Sequence, residues 1–135
     1  MENKKPKVLI VDDDKFLLNM YSLKFNKSNF DVDSSFSGED AVKKLSASYT
    51  PDIILLDIIM PGMDGFEVLE QIKKNSLVPN AVIVMLTNQG QLSDIEKAKG
   101  YGVDGYIIKA TTIPSEVVEQ VIKIYNLQKN NSVKN

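Results

Sequence analysis

The 135-residue chain has no cysteine and no histidine. Without cysteine there is neither a disulfide framework nor a thiolate metal site, and a reducing cytosol fits the composition. Without histidine the chain cannot hold a Ser-His-Asp type triad, an imidazole zinc site or a phosphohistidine of its own. No apolar run approaches the ~20 residues that a membrane span needs, and Met1–Lys5 leads into no signal-type hydrophobic stretch. A large excess of either charge is also missing. A formal net charge of -2 and a pI ≈ 5.1 supply no broad attraction to nucleic acid or an anionic membrane surface. No internal repeat is visible. What remains is an ordinary globular composition, 43% hydrophobic and 25% charged, in a length suited to one domain with a real core. The expected setting is cytoplasmic, without direct nucleic-acid or membrane contact.

The apolar residues are not spread evenly. Val8–Val11, Ile53–Leu56 and Ala81–Leu86 are short runs without polar alternation, the pattern of strands buried on both faces of a parallel sheet. Gly105–Ile108 reads as a further strand, and Asp31–Phe36 as a more polar one near an edge. Between them the period changes to that of helices. Asp14 is placed to cap a helix over about Lys15–Lys27, with Phe16/Met20/Leu23 and Leu17/Tyr21/Phe25 forming its packing face. Ser37 with Asp40 opens a helix to about Ala47, and Asp64 caps one over Gly65–Lys74 with Phe66, Leu69 and Ile72 turned inward. Ser93–Glu96 reads as a capping box for a short helix ending near Gly100 or Gly102. Pro114 suits the first turn of a last helix with Val117/Val121/Ile124 and Val118/Ile122/Tyr125 as its apolar stripe. Strict alternation of strand and helix, five times over, predicts an α/β fold: a doubly wound, five-stranded parallel sheet covered on both sides. Residues 1–6 are expected to be a flexible N-terminus, 7–126 the folded domain and 127–135 a flexible C-terminal tail.

In a parallel sheet the carboxyl ends of all strands share one edge, where ligands collect. The sequence places Asp12 and Asp13 after the first of these strands, Asp57 after the third, Thr87 after the fourth and Lys109 after the fifth. Taken singly, each has an ordinary explanation: a cap, an acidic turn, a strand-end hydroxyl, a surface lysine. Together they form a pocket of three carboxylates, a hydroxyl and an ammonium. All-oxygen ligands favour a hard cation, and Mg²⁺ is the natural occupant. Lys109 suits a phosphoryl oxygen, Thr87 can donate to another, and Asp57 is a nucleophile able to attack phosphorus.

These residues carry a resemblance. Val8-Leu9-Ile10-Val11-Asp12-Asp13, Leu55-Leu56-Asp57 with Met60-Pro61-Gly62-Met63-Asp64-Gly65, Thr87, Tyr106 and Lys109 resemble a response-regulator receiver domain of two-component signalling, of the chemotaxis-receiver type. The resemblance covers about Lys7–Tyr125. It implies the flavodoxin-like sheet order 2-1-3-4-5. It implies that Asp57 is the phosphoacceptor, that Asp12, Asp13, Asp57 and the backbone carbonyl of Ile59 hold Mg²⁺, and that Thr87 and Lys109 engage the phosphoryl group. Tyr106 would then change rotamer and remodel the face made by the fourth helix, fifth strand and fifth helix for partner binding. A sensor histidine kinase, a phosphotransfer protein or a small phosphodonor would supply the phosphoryl group. A downstream protein or a second copy would read the switched face. The chain would thus be a signalling switch with its own autophosphorylation and autodephosphorylation chemistry, not an enzyme in the ordinary sense.

Two positions depart from the commonest family pattern, and two more lie where the family varies. Ala110 follows Lys109 where proline is usual, which puts the usual cis peptide in doubt, because a non-proline cis bond costs ~3–4 kcal/mol. Asn88 follows Thr87 where a small residue is typical, which predicts narrower access to the phosphoryl group. Ile59 and Gln89 flank the site at variable positions, and an apolar Ile59 cannot orient an attacking water. Other readings are a phosphorylation-independent pseudo-receiver, a receiver excised from a larger regulator, or a phosphatase or flavoprotein on a similar sheet. An aspartyl-nucleophile hydrolase would want a second Asp where Ile59 stands, and Asp12-Asp13-Asp14 would repel a flavin phosphate.

Overall fold

Ile53–Leu56 and Val8–Val11 lie at the centre of the sheet because they carry nothing that needs water; every one of these side chains is buried. In the computed structural model, which describes residues 5–88 and 92–134, the elements run in order. They are β1 (Lys7–Val11), α1 (Lys15–Lys27), β2 (Asp31–Ser35), α2 (Gly38–Ser46), β3 (Ile53–Asp57), α3 (Gly65–Lys74), β4 (Val82–Thr87), α4 (Leu92–Gly100), β5 (Gly105–Ile108) and α5 (Pro114–Lys134). All pairings are parallel and the strand order is β2-β1-β3-β4-β5. The doubly wound fold is the one that the alternation of strand and helix predicts, and its strand order is the one that the resemblance implies. β2, whose residues are mostly polar, takes an edge.

Side chains alternate across a strand, so each central strand feeds two cores. Val8 and Ile10 of β1 join Ile53 and Leu55 of β3 and Val84 and Leu86 of β4, beneath α1 and α5. Leu9, Val11, Ile54, Leu56 and Met85 point to the other face, against α2, α3 and Ala98 of α4. Full burial of each such side chain contributes roughly 1.5–3 kcal/mol. The central strands therefore hold their C-terminal residues in fixed places.

Side-chain caps start the helices where the sequence says, with one exception. Asp14 accepts from the N–H groups of Phe16 and Leu17, Ser37 from that of Asp40, and Asp64 with Glu67 forms a reciprocal capping box. The predicted capping role of Ser93 does not hold, since α4 already includes Leu92 and Ser93 stands inside the helix. α1 corrects a second expectation. Leu18, Tyr21 and Phe25 are buried, but Phe16 and Leu23 are 69% and 60% exposed, so only one of the two predicted apolar rows meets the sheet. At the far end α5 is helical to Lys134, through residues expected to be a flexible tail. No glycine or proline lies between Leu127 and Lys134 to end it. The expected flexible N-terminus falls mostly outside the described residues; Pro6 is held, its carbonyl accepting from Asp31 N–H.

Candidate functional site

The carboxyl edge of the sheet gathers the polar residues that the core excludes. Asp57 and Thr87 are the last residues of β3 and β4, Asp12 follows β1 directly, and Lys109 follows β5. Asp12, Asp57 and Thr87 are buried, whereas Asp13 is exposed. The backbone of Asp12 is pinned by its N–H to Ser35 O at 3.1 Å, and its Oδ1 accepts from Asp14 N–H at 2.9 Å. Its Oδ2 lies 2.8 Å from Lys109 Nζ, near enough for an ion pair though not aligned for a hydrogen bond. Lys109 Nζ is also 3.3 Å from Asp57 Oδ2, so one nearly buried ammonium bridges two buried carboxylates.

This arrangement is under electrostatic load. Burial first, then the charge of Asp12, push the Asp57 carboxyl up to about 7, against the pull of Lys109. Burial alone would lower the Lys109 ammonium, but Asp12 and then Asp57 outweigh it and raise it. One oxygen from each of Asp12, Asp13 and Asp57 lies within 4.8 Å of the others. Three carboxylates facing one ammonium leave negative charge unbalanced, and the donors are all hard oxygens. The residues fit a divalent cation such as Mg²⁺.

Asp57 is positioned by the loop beyond it as well as by β3. Ile58 N–H donates to Leu86 O at 3.1 Å, and Gly65 N–H donates to Ile58 O at 2.7 Å. Gly65 packs so closely here that a Cβ would collide with the Asp57 carbonyl oxygen and sit 2.9 Å from Ile58 Cα. Gly62 turns the loop at φ +76°, a left-handed conformation that suits glycine. Ile59, two residues past Asp57, is 65% exposed.

Tyr106 sits in β5 beside Met85 of β4. Its hydroxyl is buried without an aligned hydrogen-bond partner. Burial and the Asp94 charge push its pKa above the usual phenol value, and the neighbouring Thr87 hydroxyl pulls the other way. Asn88 is exposed. Gln89 lies outside the described residues. No cis peptide occurs among the described residues; Lys109, Ala110 and Thr111 form a 3-10 turn instead.

Two residues at the site are not among those singled out from sequence for chemistry. Ser35, buried at the end of β2, fixes Asp12 through its carbonyl, and its position at a strand end was the available signal. Tyr21 of α1 was read only as packing. It is fully buried, and burial followed by the charges of Asp12, Asp57 and Asp14 raises its phenol above the usual range. With Leu17 and the segment Lys109–Pro114 it lines a cavity of about 430 Å³ beside Lys109.

The family model described as the response regulator receiver domain matches residues 8–122. The response regulator protein VraR of Staphylococcus saprophyticus is 40% identical over 122 residues, covering 89% of this chain and 56% of the relative. The transcriptional regulatory protein ResD of Bacillus subtilis is 36% identical over 121 residues, covering 89% and 48%. The chain thus spans about half the length of the curated relatives it matches. Among solved structures, the chemotaxis protein CheY4 of Vibrio cholerae superposes with TM-score 0.81 at 26% identity, covering 90% of this chain and 99% of that one. The N-terminal domain of a response regulator/sensory box/GGDEF protein from Carboxydothermus hydrogenoformans gives TM-score 0.77 at 31% identity, covering 93% and 98%.

Proposed function

Since the chain belongs to the response regulator receiver domain family of two-component signalling, we propose that its phosphorelay switch works through Asp57 as phosphoacceptor. The observation that supports this reading most directly is the buried Lys109 bridge between Asp12 and Asp57. An Asp57 carboxylate oxygen attacks phosphorus, a P–O bond forms, and the bond to the donor atom breaks with its electron pair staying on the donor. Asp12, Asp13 and Asp57, with the backbone carbonyl of Ile59, would hold Mg²⁺. When bound, the ion supplies neutralisation of charge on the transferred oxygens. Lys109 pairs with one of those oxygens and Thr87 donates to another. Exchange of the Tyr106 rotamer couples this to the surface formed by α4, β5 and α5.

The donor is a sensor histidine kinase, a phosphotransfer protein or a small phosphodonor, and the reader of the switched surface is a downstream protein or a second copy. The working unit is residues 7–126, in a cytoplasmic setting and without nucleic-acid contact of its own. Autophosphorylation and autodephosphorylation are intrinsic to it; receiver domains are signalling switches. Among the described residues no helix is long and apolar enough to cross a membrane. Nothing in the site favours a phosphorylation-independent module, for which a buried, charge-loaded Asp57 would be a liability without a use.

The test is intact mass after incubation with acetyl phosphate and Mg²⁺. The expected result is a gain of one phosphoryl group in the wild type, lost with a chelator and lost in Asp57→Asn. A gain that persists in Asp57→Asn would overturn the acceptor assignment.

A further inference from the structure

α4 is anchored far more weakly than its neighbour α3. α3 buries Gly65, Phe66, Val68, Leu69 and Ile72, whereas α4 buries Ala98 alone, and Leu92 at its start is 73% exposed. The C-terminal end of α4 is held by contacts that converge on one ring of α3. Lys97 Nζ sits 4.5 Å from the centroid of Phe66, a cation over an aromatic face. Tyr101, immediately past α4, stacks on the same ring with centroids 6.2 Å apart and planes 26° from parallel. The Tyr101 hydroxyl donates to Glu70 Oε2 at 3.1 Å. Phe66 itself belongs to the packed cluster that contains Ile58 and Met60 from the loop beyond Asp57, and Ala98 of α4. One side chain therefore lies between the candidate phosphorylation loop and the helix with the least to hold it.

We propose that Lys97, Phe66, Tyr101 and Glu70 form a latch that keeps α4 in its resting place, and that this latch opposes switching. It does not include Thr87 or Tyr106, although Tyr106 packs against the same cluster as Tyr101. α4 and β5 border an open hollow of about 180 Å³ lined by residues that include Ile95, Ala98, Lys99, Val103 and Tyr106, so any displacement of α4 reshapes the surface a partner would read. A helix with one buried residue moves at little expense once its end is released. The latch sets how readily that happens, and in its consequence for switching it rests on the phosphoryl-switch reading above.

The test uses the whole chain with Tyr101→Leu, which removes the stack and the hydroxyl, and Tyr101→Phe, which keeps the stack. Amide hydrogen exchange of α4 and β3 is measured, together with the Kd for Mg²⁺–beryllofluoride, a phosphoryl mimic. In Tyr101→Leu the α4 amides should exchange about 10-fold faster while β3 amides keep their rate. The Kd should tighten about 3-fold, because a partly released α4 favours the switched state. Tyr101→Phe, which loses only the hydrogen bond to Glu70, should fall between wild type and Tyr101→Leu in both. Wild-type exchange in α4, or acceleration of α4 and β3 by the same factor, would overturn the latch. An unchanged or weaker Kd would overturn its opposition to switching. Failure of the wild type itself to bind the mimic would count against the phosphoryl-switch reading instead, and the exchange data would still decide whether α4 is latched.

Discussion

Asp57 is a carboxylate whose charge the fold resists. Its pKa is raised from 3.8 to about 7, so the folded state binds a proton that the unfolded state has released across that window. Stability from this group is fully present below pH 4 and is lost as pH rises through 7. Without divalent cations, wild type should therefore lose thermal stability between pH 5 and pH 8 relative to Asp57→Asn. The variant's advantage should be several °C at pH 8 and smaller at pH 5, by order-of-magnitude conversion of such shifts. Melting curves in a chelator at the two pH values check this; an advantage that grows at pH 5 would contradict it. Ile59, well exposed two residues from the acceptor, offers no polar atom on its side chain to orient water. Decay of the acyl phosphate should be slower in wild type than in Ile59→Asn, as followed by the fading of the phosphorylated mass. The placing of the candidate residues at strand ends was legible in the sequence. Asp12, Asp13, Asp57, Thr87 and Lys109 all stand at ends of runs whose apolar character gives the strand away. Tyr21 was not legible as a neighbour of the site, since an aromatic in a helical stripe reads as core, and it is core as well.

At the scale of the element, the loop from Ile58 to Asp64 depends on Gly65 having no side chain. A methyl there would meet the Asp57 carbonyl oxygen and Ile58 Cα, both backbone atoms that cannot swing aside. Gly65→Ala should destabilise the protein by about 1–3 kcal/mol through displaced backbone. It should also impair phosphoryl acceptance even at temperatures where the variant is folded. Urea titration and the acetyl phosphate assay measure the two effects, and a variant as stable as wild type would refute the close-packing account. Helix periodicity shows where sequence reading stops. In α1 two adjacent apolar rows satisfy the same period, and only the position of the sheet decides that Leu18, Tyr21 and Phe25 go inward while Phe16 and Leu23 stay out. In α5 the apolar stripe ends near Tyr125 but the helix does not, because loss of apolar residues removes the reason for packing, not the backbone hydrogen bonds.

At the scale of the molecule, alternation of strand and helix was enough to predict the layers. The order of strands came from the resemblance, because alternation alone permits other windings. Parallel strands put every candidate group on one edge, and binding there should stabilise the whole fold. Mg²⁺ should raise the melting temperature with the logarithm of its concentration above its Kd, with about 1.4 kcal/mol gained at ten times its Kd. The increase should shrink in Asp57→Asn; equal melting temperatures in Mg²⁺ and in chelator would count against the acidic cluster as a cation site.

The pairing of Lys109 with both Asp12 and Asp57 has a further consequence for how far a signal can carry. With three carboxylates against one ammonium, a divalent cation brings the pocket close to neutrality. Exchanging one carboxylate for an acyl phosphate then makes it only about one unit more negative. In 0.1 M salt a single charge fades over about 10 Å. A partner docked on the far side of α4 or α5 would feel almost nothing of it. The message leaving this pocket is therefore one of shape, and it should survive high ionic strength even where docking itself does not.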